Sequence, residues 1–392
     1  MRNTSVLISG GSVAGTAAAY WLDRYGYDVT VVERAAVLRP GGQAVDVRGA
    51  ALDVAERMGV ADELRRNATD MRGMTMVGPD GEELFQTNEF TFSGGDLDSP
   101  DVEILRDDLC RVLHDAATGD VTYLFDDTIT AIDDGPDGAR VTFERAAPRT
   151  FDIVVGADGL HSNTRQLAFG PEAGFITHLG MYLAVYTTPN FLGLDRWQLF
   201  QQGTDAGGGV MTAHGNTELR VYAGFGSAEP IEYDYRDIDA QRKLLARRLA
   251  GAGWIWPRAL DHIWDAPDFH LDSMSQIHLG TWSRGRVVLL GDAGYCGSPL
   301  SGQGTSMAMV GAYVLAGELH AAGGDHRTAF ARYEDELRTY VTANQRLALT
   351  NRAQMEARTA EMTGAEPPAP PEGPDVVTVA AALDLKDYAD RT

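Results

Sequence analysis

The first residues suited to binding a charged ligand form a glycine-rich turn near the N-terminus. Gly10, Ser12, Val13, Ala14 and Gly15 follow a short apolar run. Glycines let the backbone approach a pyrophosphate, and the N–H groups and dipole of the following helix favour its negative charge. Glu33, 18 residues after Gly15, could accept hydrogen bonds from a ribose. This spacing predicts a dinucleotide site, although Ser12 replaces the second glycine of the usual Gly-x-Gly-x-x-Gly pattern.

Two later motifs place an acid directly after an apolar run. Residues 151–156 lead into Ala157-Asp158-Gly159, and residues 286–290 lead into Gly291-Asp292. A carboxylate at the carboxyl end of a parallel strand lies at the edge where open α/β sheets bind their ligands. Asp292 is therefore predicted to accept hydrogen bonds from a ligand. Asp158 has the same position after its strand and is a second candidate ligand contact. The alternative is that its carboxylate caps the end of the strand and binds only groups of the protein.

The elements that position these motifs predict an α/β fold. Residues 5–33 have the order strand, turn, helix, strand, which is one βαβ unit. Alternating apolar and polar residues over 175–230 predict a half-buried antiparallel sheet, and 326–360 predict a long helix. Further helices are predicted at 51–58, 103–113 and 237–265, short strands and turns at 72–98, and strands at 121–132 and 139–145.

Composition excludes several classes of protein. The 33 basic and 56 acidic residues give a net charge of −23, which disfavours nucleic acid as a partner. Only Lys243 and Lys386 are lysines, and no Gly-x-x-x-x-Gly-Lys-Ser/Thr loop occurs. Cys110 and Cys296 form neither a redox pair nor a zinc spacing, so no metal is predicted. Without a secretory signal or a long apolar run, we expect a cytoplasmic protein with no membrane span.

The three motifs together resemble those of the FAD-dependent aromatic hydroxylases, the single-component flavoprotein monooxygenases with the p-hydroxybenzoate hydroxylase fold. The resemblance covers about residues 5–355 and is greatest to the tetracycline-inactivating and polyketide-tailoring monooxygenases. It implies an α/β fold in which a Rossmann-like FAD-binding domain is interleaved with an α+β substrate domain carrying a mostly antiparallel sheet. The expected boundaries are 1–71, 101–170 and 281–322 for the FAD-binding domain, 72–100 and 171–280 for the substrate domain, 323–360 for a C-terminal bridging helix, and 361–392 for a Pro-rich segment and tail.

The same resemblance assigns the FAD contacts. Asp292 would accept from the ribityl hydroxyls, and Gly302 and Gly304 would bring backbone N–H groups against the isoalloxazine ring. The helix dipole that begins near Thr305 would stabilise the reduced flavin. Arg34 and Arg106 match positions that hold the FAD phosphates and ribityl region. The full predicted set is Gly10, Ser12, Val13, Ala14, Gly15, Glu33, Arg34, Asp46, Arg106, Asp158, Gly159, Gly291, Asp292, Pro299, Gly302, Gly304 and Thr305.

The chemistry that the resemblance implies belongs to the cofactor, so no catalytic side chain is assigned. NADPH or NADH, docking transiently, would reduce FAD, and O₂ would give a C4a-hydroperoxide that hydroxylates an aromatic, phenolic or polyketide-like small molecule. Baeyer–Villiger oxidation and inactivation of a tetracycline-type antibiotic are alternatives on the same fold. A reductase of the same fold and a non-catalytic flavin-binding sensor or drug-binding protein are further alternatives. Monomer and dimer are both open.

The predicted antiparallel sheet supplies candidates for the substrate pocket. Arg220 and His214 are polar residues that could hold an anionic oxygen, and we expect Arg220 to orient the substrate. The other candidates are Phe200, Met211, Tyr222 and Phe225 on the sheet, Pro299 and Leu300 opposite, and Asn351 on the long helix.

Two departures limit the resemblance. Many relatives have Ala-His after Gly-Asp-Ala, where this chain has Gly294 and Tyr295, so no role of that histidine transfers. Residues 253–257 are similar to the start of a flavin-dependent halogenase signature, which fails at Arg258 and Ala259. Because neither lysine lies in the required N-terminal region, a halogenase is disfavoured, and the tryptophans at 254 and 256 are expected to pack with helices.

Overall fold

Strands and helices alternate along the first part of the chain, and a long antiparallel sheet and long helices follow. This computed structural model describes residues 4–117, 119–202, 205–363, 373 and 375–388. The strands are β1 (Ser5–Ser9), β2 (Asp28–Glu33), β3 (Ala44–Val47), β4 (Met74–Val77), β5 (Glu83–Thr87), β6 (Phe90–Thr91), β7 (Gly95–Asp96), β8 (Val102–Leu105), β9 (Thr122–Phe125), β10 (Ile129–Gly135), β11 (Gly138–Phe143), β12 (Arg149–Phe151), β13 (Ile153–Gly156), β14 (Ile176–Pro189), β15 (Gln198–Gln201), β16 (Ala206–Ala213), β17 (Glu218–Gly226), β18 (His270–Ile277), β19 (Ser283–Arg284) and β20 (Val287–Leu289). The helices are α1 (Val13–Arg24), α2 (Ala50–Met58), α3 (Ala61–Arg66), α4 (Arg106–Ala116), α5 (Asn163–Phe169), α6 (Ile238–Arg248), α7 (Trp256–Asp261), α8 (Asp292–Tyr295), α9 (Gly304–Ala321), α10 (His326–Thr363) and α11 (Val376–Ala380).

The three strands that end at the sequence motifs lie side by side in a six-stranded sheet. Its order is β19-β20-β13-β1-β2-β9, and all neighbours are parallel except β19 and β20. Along β1, Val6 and Ile8 pack with α1 and α9, whereas Leu7 packs with the small sheet β10-β11-β12 on the other face. Because the sheet is covered on both faces, its strands are apolar at nearly every position.

The second large sheet has the order β18-β14-β17-β16-β15-β4-β5 and is antiparallel except between β15 and β4. One face packs against α6 and α7, where Tyr182, Val221 and Phe225 meet Leu245 and Trp256. The other face is turned toward β3 and its preceding loop. The mixed α/β fold with a largely antiparallel second sheet is thus confirmed.

The predicted long helix is confirmed as α10, which packs along α9. The last described residues return to α9, where Lys386 and Tyr388 bind the buried Glu318 at 3.0 and 2.9 Å. The predicted Pro-rich segment at 367–374 lies outside the described residues except for Gly373. Within the part of the chain that the structure describes, no helix is long and apolar enough to cross a membrane.

Three predicted elements differ from the observed ones. The helix expected at 237–265 is two helices, α6 and α7, and the backbone between them includes Trp254 at φ 56°, which a helix does not accommodate. The helix expected at 103–113 begins only at Arg106, because Val102 and Ile104 alternate with a less buried Glu103 in β8, which pairs with β3. The strand expected at 121–132 is two strands in different sheets. It breaks at Asp126, which has φ 58°, and at Asp127, whose carboxylate accepts hydrogen bonds from three backbone N–H groups.

Candidate functional site

The glycine turn after β1 allows the closest approach of backbone in the site. Gly10 has φ +104° and donates from its N–H to the carbonyl of Val32 at 2.8 Å. A Cβ on Gly15 would lie 1.8 Å from the Gly10 carbonyl oxygen, so only glycine lets α1 start here. Ser12 is the N-cap residue of α1, and its hydroxyl lies 3.6 Å from Cys110 Sγ. The serine at the second glycine position is therefore compatible with the turn.

Glu33 ends β2 and is held in place by the turn. Its Oε2 accepts from Gly11 N at 2.7 Å and its Oε1 accepts from Ala35 N at 2.8 Å. Each carboxylate oxygen can accept a further hydrogen bond. The side chain is therefore oriented before any ribose hydroxyl reaches it.

A group of arginines adjoins the turn. Arg106 is buried at the start of α4 and donates to the carbonyls of Gly41 at 2.5 Å and Arg39 at 3.4 Å. A Cβ on Gly42 would lie 2.4 Å from Arg106 Nε, so this loop also needs glycine. Desolvation and the like charge of Arg106 lower the pKa of Arg39 to about 10. Two cations held this close are stabilised by an anion, which fits the phosphates of a dinucleotide. Sequence reasoning named Arg34 and Arg106 but missed Arg39.

The third motif meets the first. Gly291 has φ +62°, and a Cβ there would lie 3.1 Å from the Ala14 Cβ. Asp292 follows three residues after β20, and its side chain is exposed in the cleft. The surrounding protein displaces enough water to raise the pKa of its carboxyl. A Cβ on Gly304 would lie 3.9 Å from Asp292 Oδ1. The acid therefore lies beside both the glycine turn and the start of α9.

The loop before α9 combines an open backbone with a buried amide. Gly302 has φ +64°, and nothing described lies within 4 Å of where its Cβ would be. Gln303 is fully buried, and neither its amide oxygen nor its amide nitrogen has a hydrogen-bond partner among the described residues. Buried amides without partners are costly. The open backbone at Gly302 fits the polar edge of a flavin ring, whereas the Gln303 amide lies inside the protein.

Two other predicted acids are engaged within the protein. Asp158 accepts from Ser162 Oγ at 2.5 Å and from Thr164 N and Oγ1, each at 2.9 Å. It thus organises the start of α5, as in the structural alternative, with Gly159 following at φ +81°. Asp46 pairs with Arg48 at 2.9 Å; burial raises the pKa of its carboxyl, and the charge of Arg48 opposes that rise. The structure places Asp46 in an internal ion pair.

The second sheet brings only some of the substrate candidates together. Arg220 and Tyr222 share one face of β17, opposite Met211 and Gly209 of β16, and Phe200 neighbours Gly209. Phe225 lies on the other face, where it stacks on Tyr182 with ring centroids 5.2 Å apart. His214 lies in the β16–β17 turn, with Nδ1 2.9 Å from Glu218.

Arg220 links the antiparallel sheet to the loop before β3 and to α4. It is 2% exposed, and its Nε donates to the Gly42 carbonyl at 3.2 Å. Its Nη1 lies 3.1 Å from Glu218 and donates to Thr187 Oγ1, while Nη2 lies 3.7 Å from Asp107. All three guanidinium nitrogens therefore have protein partners. These contacts give Arg220 a structural role, and its role in orienting a substrate stays a prediction.

Helix α10 holds the loop that carries Pro299 and Leu300. Asn351 Nδ2 donates to the Leu300 carbonyl at 2.8 Å. Gln276 Nε2 donates to the carbonyls of Gln345 at 2.8 Å and Gly297 at 3.2 Å. The structure thus uses Asn351 to position the loop before α9, and sequence reasoning missed the two glutamines. Tyr295, at the position of the absent histidine, is buried and hydrogen-bonds to the hydroxyl of Tyr333.

His161 forms a second joint that sequence reasoning missed. Its Nδ1 lies 2.8 Å from Glu172 and its Nε2 lies 3.0 Å from Asp272 on β18. Burial disfavours the imidazolium, but hydrogen bonds and charge from these two acids raise the pKa of His161 to about 9. A charged His161 therefore links the end of the second motif to the antiparallel sheet at neutral pH.

Comparisons with known proteins agree with this arrangement. The family model for an FAD binding domain matches residues 3–348. A flavin-dependent monooxygenase of Legionella longbeachae is 36% identical over 89% of this chain and 88% of its own length. An uncharacterized protein of Mycobacterium tuberculosis is 54% identical over 88% of this chain and 93% of its own length. The crystal structure of tetracycline destructase Tet(51) has a TM-score of 0.87 and 32% identity, covering 98% of this chain and 100% of that one.

Proposed function

Because the chain belongs to the FAD-binding-domain family and is a flavin-dependent monooxygenase, we propose that it hydroxylates an aromatic, phenolic or polyketide-like small molecule with a nicotinamide coenzyme and O₂. The observation that carries this proposal is the meeting of Gly291, Asp292 and Gly304 with the glycine turn at one edge of the parallel sheet. Ligands of open α/β sheets bind at this edge. The antiparallel sheet faces it across the β3 loop.

The residues around this edge fit FAD. In the proposal, the turn at Gly10–Gly15 and the group of Arg34, Arg39 and Arg106 hold the phosphates, Glu33 holds the adenosine ribose, and Asp292 accepts from the ribityl chain. Residues 302–304 and the start of α9 lie against the ring. Bound FAD would supply the chemistry: it would take electrons from NADPH or NADH and pass one oxygen atom of O₂ to the substrate. The protein positions the ring and excludes water.

The substrate is proposed to bind on the face of β16 and β17 that carries Met211 and Tyr222, with Pro299 and Leu300 opposite. The Tyr222 hydroxyl accepts from Ala44 N at 2.8 Å, and burial raises its pKa above the usual range for a phenol. The protonated hydroxyl donates to Met211 Sδ at 3.3 Å, and an oxygen of the substrate would replace this weak sulfur acceptor.

Oxidation of a tetracycline-type molecule is the second candidate. It is favoured by the similarity to two tetracycline destructases, of which Tet(55) has a TM-score of 0.83 and 33% identity over 98% of this chain and 99% of its own. Both candidates use the same site and differ in the substrate.

One experiment tests the proposal and separates the candidates. NADPH oxidation by the purified yellow protein is measured against phenols, aromatic polyketides and tetracyclines, and the products are analysed by mass spectrometry. We expect one group to stimulate NADPH oxidation and to gain one oxygen atom. A protein whose flavin is not reduced faster with any of them would be a sensor or a drug-binding protein, and a product that gains hydrogen would indicate a reductase.

A further inference from the structure

A cavity of about 460 Å³ lies beside β4 and β5, at one end of the antiparallel sheet. Its walls are formed by Met74, Met76, Phe85, Phe90 and Phe92, together with one threonine and one glutamine. No described residue that lines it carries a charge. Its volume lies in the range of sites that hold small molecules. The cavity is apolar, largely aromatic and large enough for two or three fused rings.

An unbroken series of rings connects this cavity to the proposed substrate face. Phe92 stacks on Phe200 with centroids 4.4 Å apart and planes 26° apart. Phe200 lies 5.8 Å from Tyr222, whose hydroxyl accepts from Ala44 on β3. The cavity and the proposed substrate face therefore lie on the same side of the antiparallel sheet.

The aromatic wall is held in place by buried polar groups. Gln198 is fully buried, and its Oε1 accepts from Phe92 N at 3.0 Å while its Nε2 donates to Ser93 Oγ at 2.6 Å. Arg48 donates to the Gly94 carbonyl at 2.9 Å and from its backbone N–H to Ser306 Oγ at 3.3 Å. Ser306 lies in the first turn of α9. The wall is therefore fixed to both the antiparallel sheet and the helix at the flavin loop.

The aromatic side chains of this wall are exposed although they are firmly positioned. Phe92 is 50% exposed, and Phe85 and Phe90 are each 41% exposed. Rigid, accessible aromatic faces stack well on planar rings, whereas a charged group would lose its hydration here without gaining a partner. The wall thus suits the uncharged fused rings of a ligand.

We infer that this cavity is a subsite for the uncharged, fused-ring part of the substrate, the part remote from the ring that reacts, and that Phe92 selects multi-ring over single-ring molecules. The inference rests on the proposed function, since it concerns the same substrate. It narrows the substrate class to flat molecules of three or more rings.

Binding to the oxidised FAD-containing protein tests the subsite without turnover. Equilibrium dialysis compares catechol with 1,2-dihydroxyanthraquinone, which carries the same dihydroxy ring extended by two fused rings. We expect the wild-type protein to bind the larger probe about tenfold more tightly or better, and Phe92→Ala to remove about fivefold or more of that preference. The Kd of catechol should stay within about twofold. Phe92→Tyr keeps the ring and should keep the preference.

Trp264→Ala is the matched control, because Trp264 is 47% exposed and does not line the cavity. It should leave both Kd values unchanged. Wild-type protein that binds the two probes equally, or binds neither, would overturn the subsite, as would a Phe92→Ala protein that retains the full preference. Selective binding with no oxygenated product from any substrate would reject the proposed function alone. Oxygenation with no multi-ring preference would reject the subsite alone.

Discussion

Replacing Arg220 by alanine should weaken the contact of the antiparallel sheet with the loop before β3 and with α4. The substitution leaves Glu218 and Asp107 without this cation and the Gly42 carbonyl without its donor. Removing one member of a fully buried ion pair costs about 3–5 kcal/mol. Because the two acids are 36% and 20% exposed, water replaces part of the loss, and we expect about 2–3 kcal/mol here. At roughly 2 °C per kcal/mol for a large domain, Tm should fall by about 5 °C.

Thermal unfolding at saturating FAD, followed by circular dichroism, measures this shift. Arg72→Ala is the matched control, because Arg72 is 55% exposed and pairs with Asp195 at 3.2 Å. Exposed pairs contribute little, so its Tm should change by less than about 2 °C. An Arg220→Ala protein with unchanged Tm but substrate affinity reduced by about tenfold would refute this reasoning and show that Arg220 orients the substrate.

Three further substitutions test other parts of the site. Asp292→Ala should raise the Kd of FAD by about tenfold or more, because a hydrogen-bond acceptor for the cofactor is lost. Fluorescence titration of the apoprotein with FAD measures this Kd, and an unchanged value would exclude the ribityl contact. The pKa of His161 is raised to about 9, so its joint should stabilise the fold fully below pH about 6.5 and lose that contribution as the pH rises through about 9. His161→Gln should flatten this dependence in chemical denaturation, and an unaltered slope would contradict the assignment. Asn351→Ala should remove the hydrogen bond to the Leu300 carbonyl and raise the Kd of FAD severalfold with little change in Tm. A change in substrate affinity alone would show instead that Asn351 contacts the substrate.

The geometry around the proposed FAD site was the more predictable from sequence because it is local. Gly10, Gly15 and Glu33 lie within one βαβ unit, where strand, turn and helix fix their relative positions. Asp292 follows a buried strand, so its place at the sheet edge also follows from the sequence. The ion pair of Asp46 with Arg48 was missed, because a nearby arginine competes with a ligand for the same acid.

The substrate side was less predictable because a strand presents two faces. Phe225 is three positions after Tyr222, and an odd offset places it on the opposite face, against α6 and α7. His161 contacts Asp272, which is 111 positions away, and Arg220 contacts Gly42, which is 178 positions away. Contacts of that kind depend on how the antiparallel sheet packs against distant segments, and they leave no pattern in the sequence around either residue.

The origin of the transferred oxygen tests the central claim most directly. The FAD-containing protein, NADPH and the substrate that stimulates NADPH oxidation are incubated under ¹⁸O₂ in ordinary water, and the product is analysed by mass spectrometry. A flavin-dependent monooxygenase incorporates one ¹⁸O atom into each product molecule. A product without the label, or NADPH oxidation that yields only hydrogen peroxide and unchanged substrate, would contradict the account.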